Sequence, residues 1–372
     1  MRATKWGDLL LILLSALLIC SLGISLFLFP HASFSETENR ALTLFPDINA
    51  DSILDGSFSN RFTRFCADQF PLRSRFVSLS TYTELALGKG EQEGILFGSN
   101  GFLIPRGDMS DLSTLSGNLK TIRAFWESSE TPVSVFFVPR HIDVLTHLLP
   151  SDYSAIHASR IPNTAWESRL PLLLPIEEWQ GKAEYYYKTD HHWTTEGAYA
   201  AYKLLGDPLG YAPKEESYFE KITVSDSFLG TSYSTAGGVS FASDSVSLYR
   251  FPDDDRFLVT YEHAEQFKKG FYHFGALNKK DHYAIFLGGN YSFLSVTDPT
   301  AQGKPRLLLI KDSFANALIP FLSIHFDLTV FDPRYRSDQR IGDLSGYDHI
   351  LILQGLSTVS TDSSLQRFLS SP

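Results

Sequence analysis

The stretch RLLLIKDSFANALIPFL, residues 306–322, opens with an unbroken apolar run and then changes period. Residues 306–310 read as a buried strand, and a helical segment follows from Lys311. Ser313 falls at the change, where a strand gives way to a helix. The same rhythm recurs in PVSVFFVPR (132–140), FDLTVF (326–331) and DHILILQG (348–355), each followed by turn residues or a helical segment. Apolar strands that alternate with helices predict a mostly parallel sheet with helices on both faces. In such sheets ligands bind beyond the carboxyl ends of the strands. Ser313, Asp190 and the pair Pro139–Arg140 all lie just past predicted strands.

A serine at a strand-to-helix turn is presented at the top edge of the sheet, near backbone N–H groups that suit an oxyanion. Its hydroxyl needs a base. The segment YYYKTDHHWTTEGAYAAYKLL, residues 185–205, offers one. AEYYYKTD (183–190) reads as a strand, and a helix follows with Thr194 or Thr195 as N-cap and Gly206 as its stop. In extended backbone, residues i and i+2 share a face. Asp190 can therefore reach one ring nitrogen of His192 and leave the other for Ser313, with His191 turned the opposite way to pack or line the rim. An Asp-Ser pair after a strand also serves as an ordinary helix cap, and Trp193 alone reads as core. The two motifs together point to a Ser-His-Asp site.

The rest of the chain frames that site. Arg2 and Lys5 precede an uncharged apolar run over residues 9–29. As a helix it extends about 31 Å, enough to cross a bilayer core. It exceeds the hydrophobic region of an ordinary signal peptide. An uncleaved signal anchor over residues 1–30 is expected, with the N-terminus cytoplasmic and the remainder extracytoplasmic. Residues 31–95 read as a juxtamembrane segment and the N-terminal part of the ectodomain, with helical spacing over 61–90 broken at Pro71. Residues 96–372 read as the α/β domain. GILFGSNGFLIP (94–105) predicts a hairpin, and 111–129 a helix. Residues 207–300, rich in Ser, Gly, Tyr, Phe and Asp, read as a β-rich insertion. The net charge of −10 argues against a nucleic-acid surface. Cys20 and Cys66 lie in dissimilar stretches and imply no disulfide framework.

The stretch YYYKTDHHWTTEGAYAAY, with KDSF downstream, resembles the signature of the bacterial DHHW family. That family is similar to the SGNH-hydrolase-like domains of the alginate O-acetylation proteins AlgX and AlgJ. ENRALTLFP, ADQFPLRSRF, LFGSNGFLI and FDPRYR extend the likeness over about residues 36–360. The resemblance implies an SGNH-hydrolase-like (flavodoxin-like) fold with Ser313 as nucleophile, His192 as general base and then acid, and Asp190 orienting His192. It implies O-acetylation or deacetylation of a cell-surface polysaccharide, with no cofactor. An integral-membrane acyltransferase would supply the acetyl group. Lys311 departs from the family pattern, standing where SGNH enzymes carry glycine. Those enzymes also place an oxyanion-hole asparagine after a later strand. Gln354, Arg140 and Arg334 are the donors available for that or a substrate contact, with Trp193 and His191 as further contacts.

Two other readings fit the residues. His141, Asp143 and His147 in RHIDVLTH could join Asp190, His191 and His192 around a metal in a metal-dependent hydrolase. An inactive surface module that binds or scaffolds glycans is the non-enzymatic reading, suited by 17 tyrosines and 5 tryptophans.

Overall fold

A computed structural model describes residues 2–35, 38, 40–107, 111–151, 153, 160–262, 268–335 and 342–370. The chain divides into two compact units.

The first unit comprises Met1–Glu93 and Ser234–Val239. Its first helix, Arg2–Leu28, contains the one helix among the described residues that is long and apolar enough to cross a membrane, Trp6–Leu28. Such a helix fits an anchor or a signal sequence. Helices Ser57–Asp68 and Arg73–Ala86 follow, separated by a turn at Pro71 as the sequence predicts. Phe45, Phe62 and Phe65 pack edge-on or stacked, and Arg40 bridges Glu38 and Asp68.

The second unit comprises Gly94–Tyr233 and Ser240–Pro372. Its eight-stranded sheet runs in the order Lys268–Lys269, Leu258–Tyr261, Phe293–Thr297, Asp327–Phe331, Arg306–Lys311, His349–Gly355, Val133–Val138, Leu172–Leu173. From Asp327–Phe331 onward the neighbours are parallel, and the first strands of that order are antiparallel. Alternation along each strand divides the core. Leu307, Leu309, Phe136, Val138, Leu351 and Leu353 enter one cluster. Leu308, Ile310, Val135, Phe137, Ile350 and Ile352 enter the other. The second face is covered by the helix Ser113–Ser128 through Leu115, Leu119 and Ile122, and by the C-terminal helices through Val359, Leu365 and Phe368. The first face is covered by the helix Thr195–Leu204 and by Ile319, Phe321 and Leu322. Each fully buried aliphatic side chain here contributes about 1.5–3 kcal/mol of transfer free energy.

Three readings of the sequence need correction. AEYYYKTD is not a sheet strand: a 3-10 turn covers Ala183–Tyr185, and the chain then reverses on itself. Tyr187 N–H donates to His192 O and Thr194 N–H to Tyr185 O, so its polar groups are satisfied locally. The segment 207–300 is not wholly an insertion. Its ribbon Glu220–Phe228/Asp244–Arg250 stands apart, but Leu258–Tyr261, Lys268–Lys269 and Phe293–Thr297 extend the main sheet. Gly206 does not end the helical path; a short helix Gly206–Leu209 follows, closed by Gly210 at φ +72°.

Candidate active site

The strand Arg306–Lys311 ends at Asp312, which caps the 3-10 turn Ser313–Ala317. Asp312 Oδ1 accepts from Phe314 N–H (3.0 Å), and Oδ2 accepts from Gly355 N–H at the end of the neighbouring strand (2.7 Å). The cap anticipated for Asp312 or Ser313 is therefore Asp312, which leaves the Ser313 hydroxyl available. The turn is clamped from outside. Trp193 Nε1 donates to Phe314 O (2.8 Å), and the Tyr283 hydroxyl lies 3.1 Å from both the Ser313 and Phe314 carbonyls.

Asp190, His192 and Ser313 form one hydrogen-bonded chain. His192 Nδ1 lies 2.6 Å from Asp190 Oδ1, and His192 Nε2 lies 2.8 Å from Ser313 Oγ. A buried carboxylate only accepts, so Nδ1 carries the proton and Nε2 presents a lone pair to the serine hydroxyl. All three residues are buried. Tyr283 stacks on the His192 ring with centroids 3.9 Å apart and planes 10° apart.

The route to this geometry differs from the predicted strand face. Asp190 Oδ1 also accepts from His192 N–H (2.9 Å), so a side-chain-to-backbone turn places ring and carboxylate together. Thr231 supplies Asp190 Oδ2 with its N–H (2.7 Å) and its hydroxyl (3.0 Å). Burial by itself would raise the Asp190 pKa. The adjacent His191 and His192 rings and these hydrogen bonds outweigh it and hold the carboxyl far below the usual carboxylate range. Asp244 fixes the approach to the turn, accepting from the N–H groups of Lys188 and Thr189 and from the Thr189 hydroxyl.

Gly230 lies against Asp190. A Cβ there would meet Asp190 Cβ and Oδ2 at 2.3 Å. Gly230→Ala is expected to displace the carboxylate, lowering turnover of an acetyl ester about 100-fold. It should also cost about 1–3 kcal/mol in stability. Steady-state kinetics and urea unfolding of the same variant check both.

The other predicted site residues fall as follows. His191 does not turn away from His192: the two ring centroids lie 3.8 Å apart with the planes tilted by 39°, because the turn replaces the strand. Trp193 is fully buried, packs on Phe314 and Trp179, and is a clamp rather than a surface contact. Arg140 is committed to both oxygens of Asp143 and to Gly107 O. Arg334 is committed to Asp332. Gln354 is buried in register with Phe137, and among the described residues no hydrogen bond joins it to the Asp190–His192–Ser313 chain. Lys311 is fully buried, with Nζ 2.8 Å from Asn316 Oδ1 and 3.4 Å from Asp332 Oδ2. A cleft of about 200 Å³ beside the serine turn is lined by Arg140, His141, His191, Phe314, Leu356 and Ser357, among others.

The metal ring anticipated from RHIDVLTH is not assembled. His141 Nε2 lies 3.0 Å from Tyr187 O, Asp143 is forked by Arg140, and His147 is exposed on a 3-10 turn. Asp190, His191 and His192 keep one ligand atom each within 4.8 Å of the others. The Asp190 oxygens and both His192 nitrogens are already engaged in the hydrogen bonds above.

Burial pushes His141 from 6.5 down to about 4. A histidine held neutral in the fold stabilises it above the unfolded pKa. That contribution is lost as pH falls from about 6.5 toward 4, because the unfolded chain binds the extra proton. The loss is on the order of 3 kcal/mol. His141→Gln keeps a donor for Tyr187 O and is expected to flatten the decline in urea midpoint between pH 7 and pH 4.5.

Sequence reasoning missed Tyr283, Thr231, Asp244 and Gly230. All lie in the segment 207–300, where no period or motif marks them.

The family model described as DHHW protein matches residues 178–331. No curated protein sequence matches the chain. A DHHW family protein from Eubacterium siraeum superposes at a TM-score of 0.59 and 20% identity, covering 74% of this chain and 95% of its own. Bacillus cereus PatB1, solved with a sulfonyl adduct, superposes at 0.61 and 19% identity, covering 74% and 98%. The O-acetyltransferase domain of Pseudomonas putida AlgJ gives 0.44 at 12% identity, covering 72% and 93%. The first two likenesses show a shared mixed α/β fold. The matched residues 178–331 hold both the Asp-His-His-Trp turn and the serine turn, so over that part the chain is similar to DHHW proteins.

Proposed function

We propose that this chain is a membrane-anchored, extracytoplasmic serine acyltransferase or esterase that adds acetyl groups to a surface polysaccharide, or removes them. The observation that carries the reading is the hydrogen-bonded chain Asp190–His192–Ser313, at 2.6 and 2.8 Å. In the first step Ser313 Oγ attacks the donor's acetyl carbonyl while His192 Nε2 takes the hydroxyl proton. The oxyanion that forms needs donors. The Ser313 N–H supports that role, since Phe314 N–H and Ala315 N–H are already given to Asp312. His192 returns the proton to the leaving group, and acetyl remains esterified to Ser313. An acceptor hydroxyl, from a sugar or from water, then loses its proton to His192 and attacks the acetyl carbon, and Ser313 leaves with that proton. Asp190 holds the tautomer and stabilises the imidazolium throughout.

The helix Trp6–Leu28 supports anchoring, and Arg2 and Lys5 before it support a cytoplasmic N-terminus. The sulfonyl adduct in the PatB1 structure accords with an electrophile-reactive site in a protein of this fold. The acetyl donor has to reach an extracytoplasmic site, so a membrane-embedded acyl carrier is the partner this reading requires. To test it, the chain is incubated with an activated acetyl ester and digested, and the peptide DSFANALIPF is examined by mass spectrometry. Acetyl on Ser313 that is absent in His192→Ala supports the reading. A folded chain with no adduct and no ester turnover sinks it and favours a glycan-binding module.

A further inference from the structure

The proposed reaction uses one histidine of the pair, and the structure also constrains the other. His191 Nδ1 lies 2.6 Å from Thr231 Oγ1. The Thr231 hydroxyl has one hydrogen and lies 3.0 Å from Asp190 Oδ2, which as a carboxylate can only accept. That hydrogen therefore belongs to Asp190. Thr231 Oγ1 must accept from His191, so Nδ1 carries the His191 proton and Nε2 is a lone pair. Partial burial and the adjacent His192 ring both push His191 below the ordinary histidine range, which keeps the ring neutral.

This acceptor stands beside the reacting groups. The His191 side chain is 40% exposed, whereas His192 is 8% exposed. The ring lines the cleft with Phe314 and rests on the His192 ring. A ring nitrogen of His191 lies within 4.8 Å of one of His192. The reacting hydroxyl gives its only hydrogen to His192 and has none left for His191. A neighbouring hydroxyl on the same acceptor does.

Resting on the acyl-transfer reading above, we infer that His191 Nε2 accepts a hydrogen bond from a hydroxyl adjacent to the reacting one, so that the site selects acceptors with neighbouring hydroxyls, as saccharides have, over simple alcohols. His191 is thus a substrate-contacting specificity residue, and Thr231 sets its tautomer.

The test measures partitioning of acetyl-Ser313 in the full chain between ethane-1,2-diol and ethanol at equal hydroxyl concentration. The unaltered chain is expected to favour the diol by about tenfold, the worth of one hydrogen bond to a polar partner. His191→Ala is expected to bring the ratio to about one, with transfer falling further than acylation of Ser313. His191→Gln, which keeps an acceptor oxygen, should recover much of the preference. A ratio unchanged in His191→Ala overturns the inference, as does a glutamine variant no better than alanine. If the unaltered chain forms no acetyl-serine, the catalytic reading fails, and binding then decides. Saturation transfer from the full chain to methyl glucoside should be present and should be lost in His191→Ala. A signal absent from the unaltered chain, or kept in the variant, overturns the assignment.

Discussion

Ser313→Ala is expected to lower turnover of an activated acetyl ester by about 10⁴-fold or more, and His192→Ala by a similar factor. The two losses should not add. Once Ser313 has lost its hydroxyl, His192 has no proton to take, so the double variant should match the single ones within about threefold. Asp190→Asn separates orientation from chemistry. The amide preserves shape but can offer a hydrogen where His192 Nδ1–H needs an acceptor, and that reversal favours the wrong tautomer. Loss should again approach about 10⁴-fold, with the fold intact. The discriminating result is a serine variant that is folded but inactive. Retained turnover in Ser313→Ala, together with loss on adding a chelator, would transfer the chemistry to the Asp190–His191–His192 cluster. Retained glycan binding with no turnover in any variant would identify a binding module.

The strands were legible because each is buried on both faces and so reads as a continuous apolar run: Leu307 to Ile310, Val133 to Val138 and Ile350 to Leu353. The serine turn was legible because a strand-to-helix change places Ser313 at a sheet edge whatever the surrounding detail. Asp190 and His192 were found for a reason that proved incomplete. Alternation on a strand put them on one face, whereas the structure joins them through a turn closed by Asp190 Oδ1 and His192 N–H. A side-chain-to-backbone hydrogen bond leaves no periodic trace. The supports were illegible for a related reason. Thr231 reaches the site from the start of a short helix, Tyr283 from a 3-10 turn and Asp244 from the start of a strand, 41 to 93 positions beyond Asp190 by sequence number, and nothing local distinguishes them from other residues of those types. Lys311 posed the opposite problem. It was conspicuous as a departure from the glycine of SGNH enzymes, yet only the structure shows where its charge goes.

Asp332→Asn follows from that placement and is expected to be among the most destabilising single changes outside the Asp190–His192–Ser313 chain. Asp332 is fully buried between two cations: Arg334 forks onto it, with Nε at 2.9 Å and Nη2 at 2.7 Å, and Lys311 Nζ lies 3.4 Å away. Burial lowers the Lys311 pKa, and Asp332 is the leading influence that raises it again. Removing one charge leaves a buried cation uncompensated, which costs about 3–5 kcal/mol. Lys311 can limit the loss by shedding its proton. That escape gives a second signature. A lysine with a depressed folded pKa binds fewer protons than its unfolded counterpart, so stability rises with pH until the unfolded pKa near 10.4 is passed. The variant should therefore regain urea resistance between pH 7 and pH 9, with a steeper slope than the unaltered chain. Lys311→Met should cost less than half as much as Asp332→Asn, because Asp332 keeps Arg334 and what is forfeited is the longer contact to Asp332 and the neutral contacts to Asn316 and Asn290. Equal losses in the two variants would mean that Asp332 acts through Lys311 alone and that Arg334 adds nothing. Because Lys311 directly precedes the Asp312 cap, Asp332→Asn should also slow acetylation of Ser313 at temperatures where the fold is still intact.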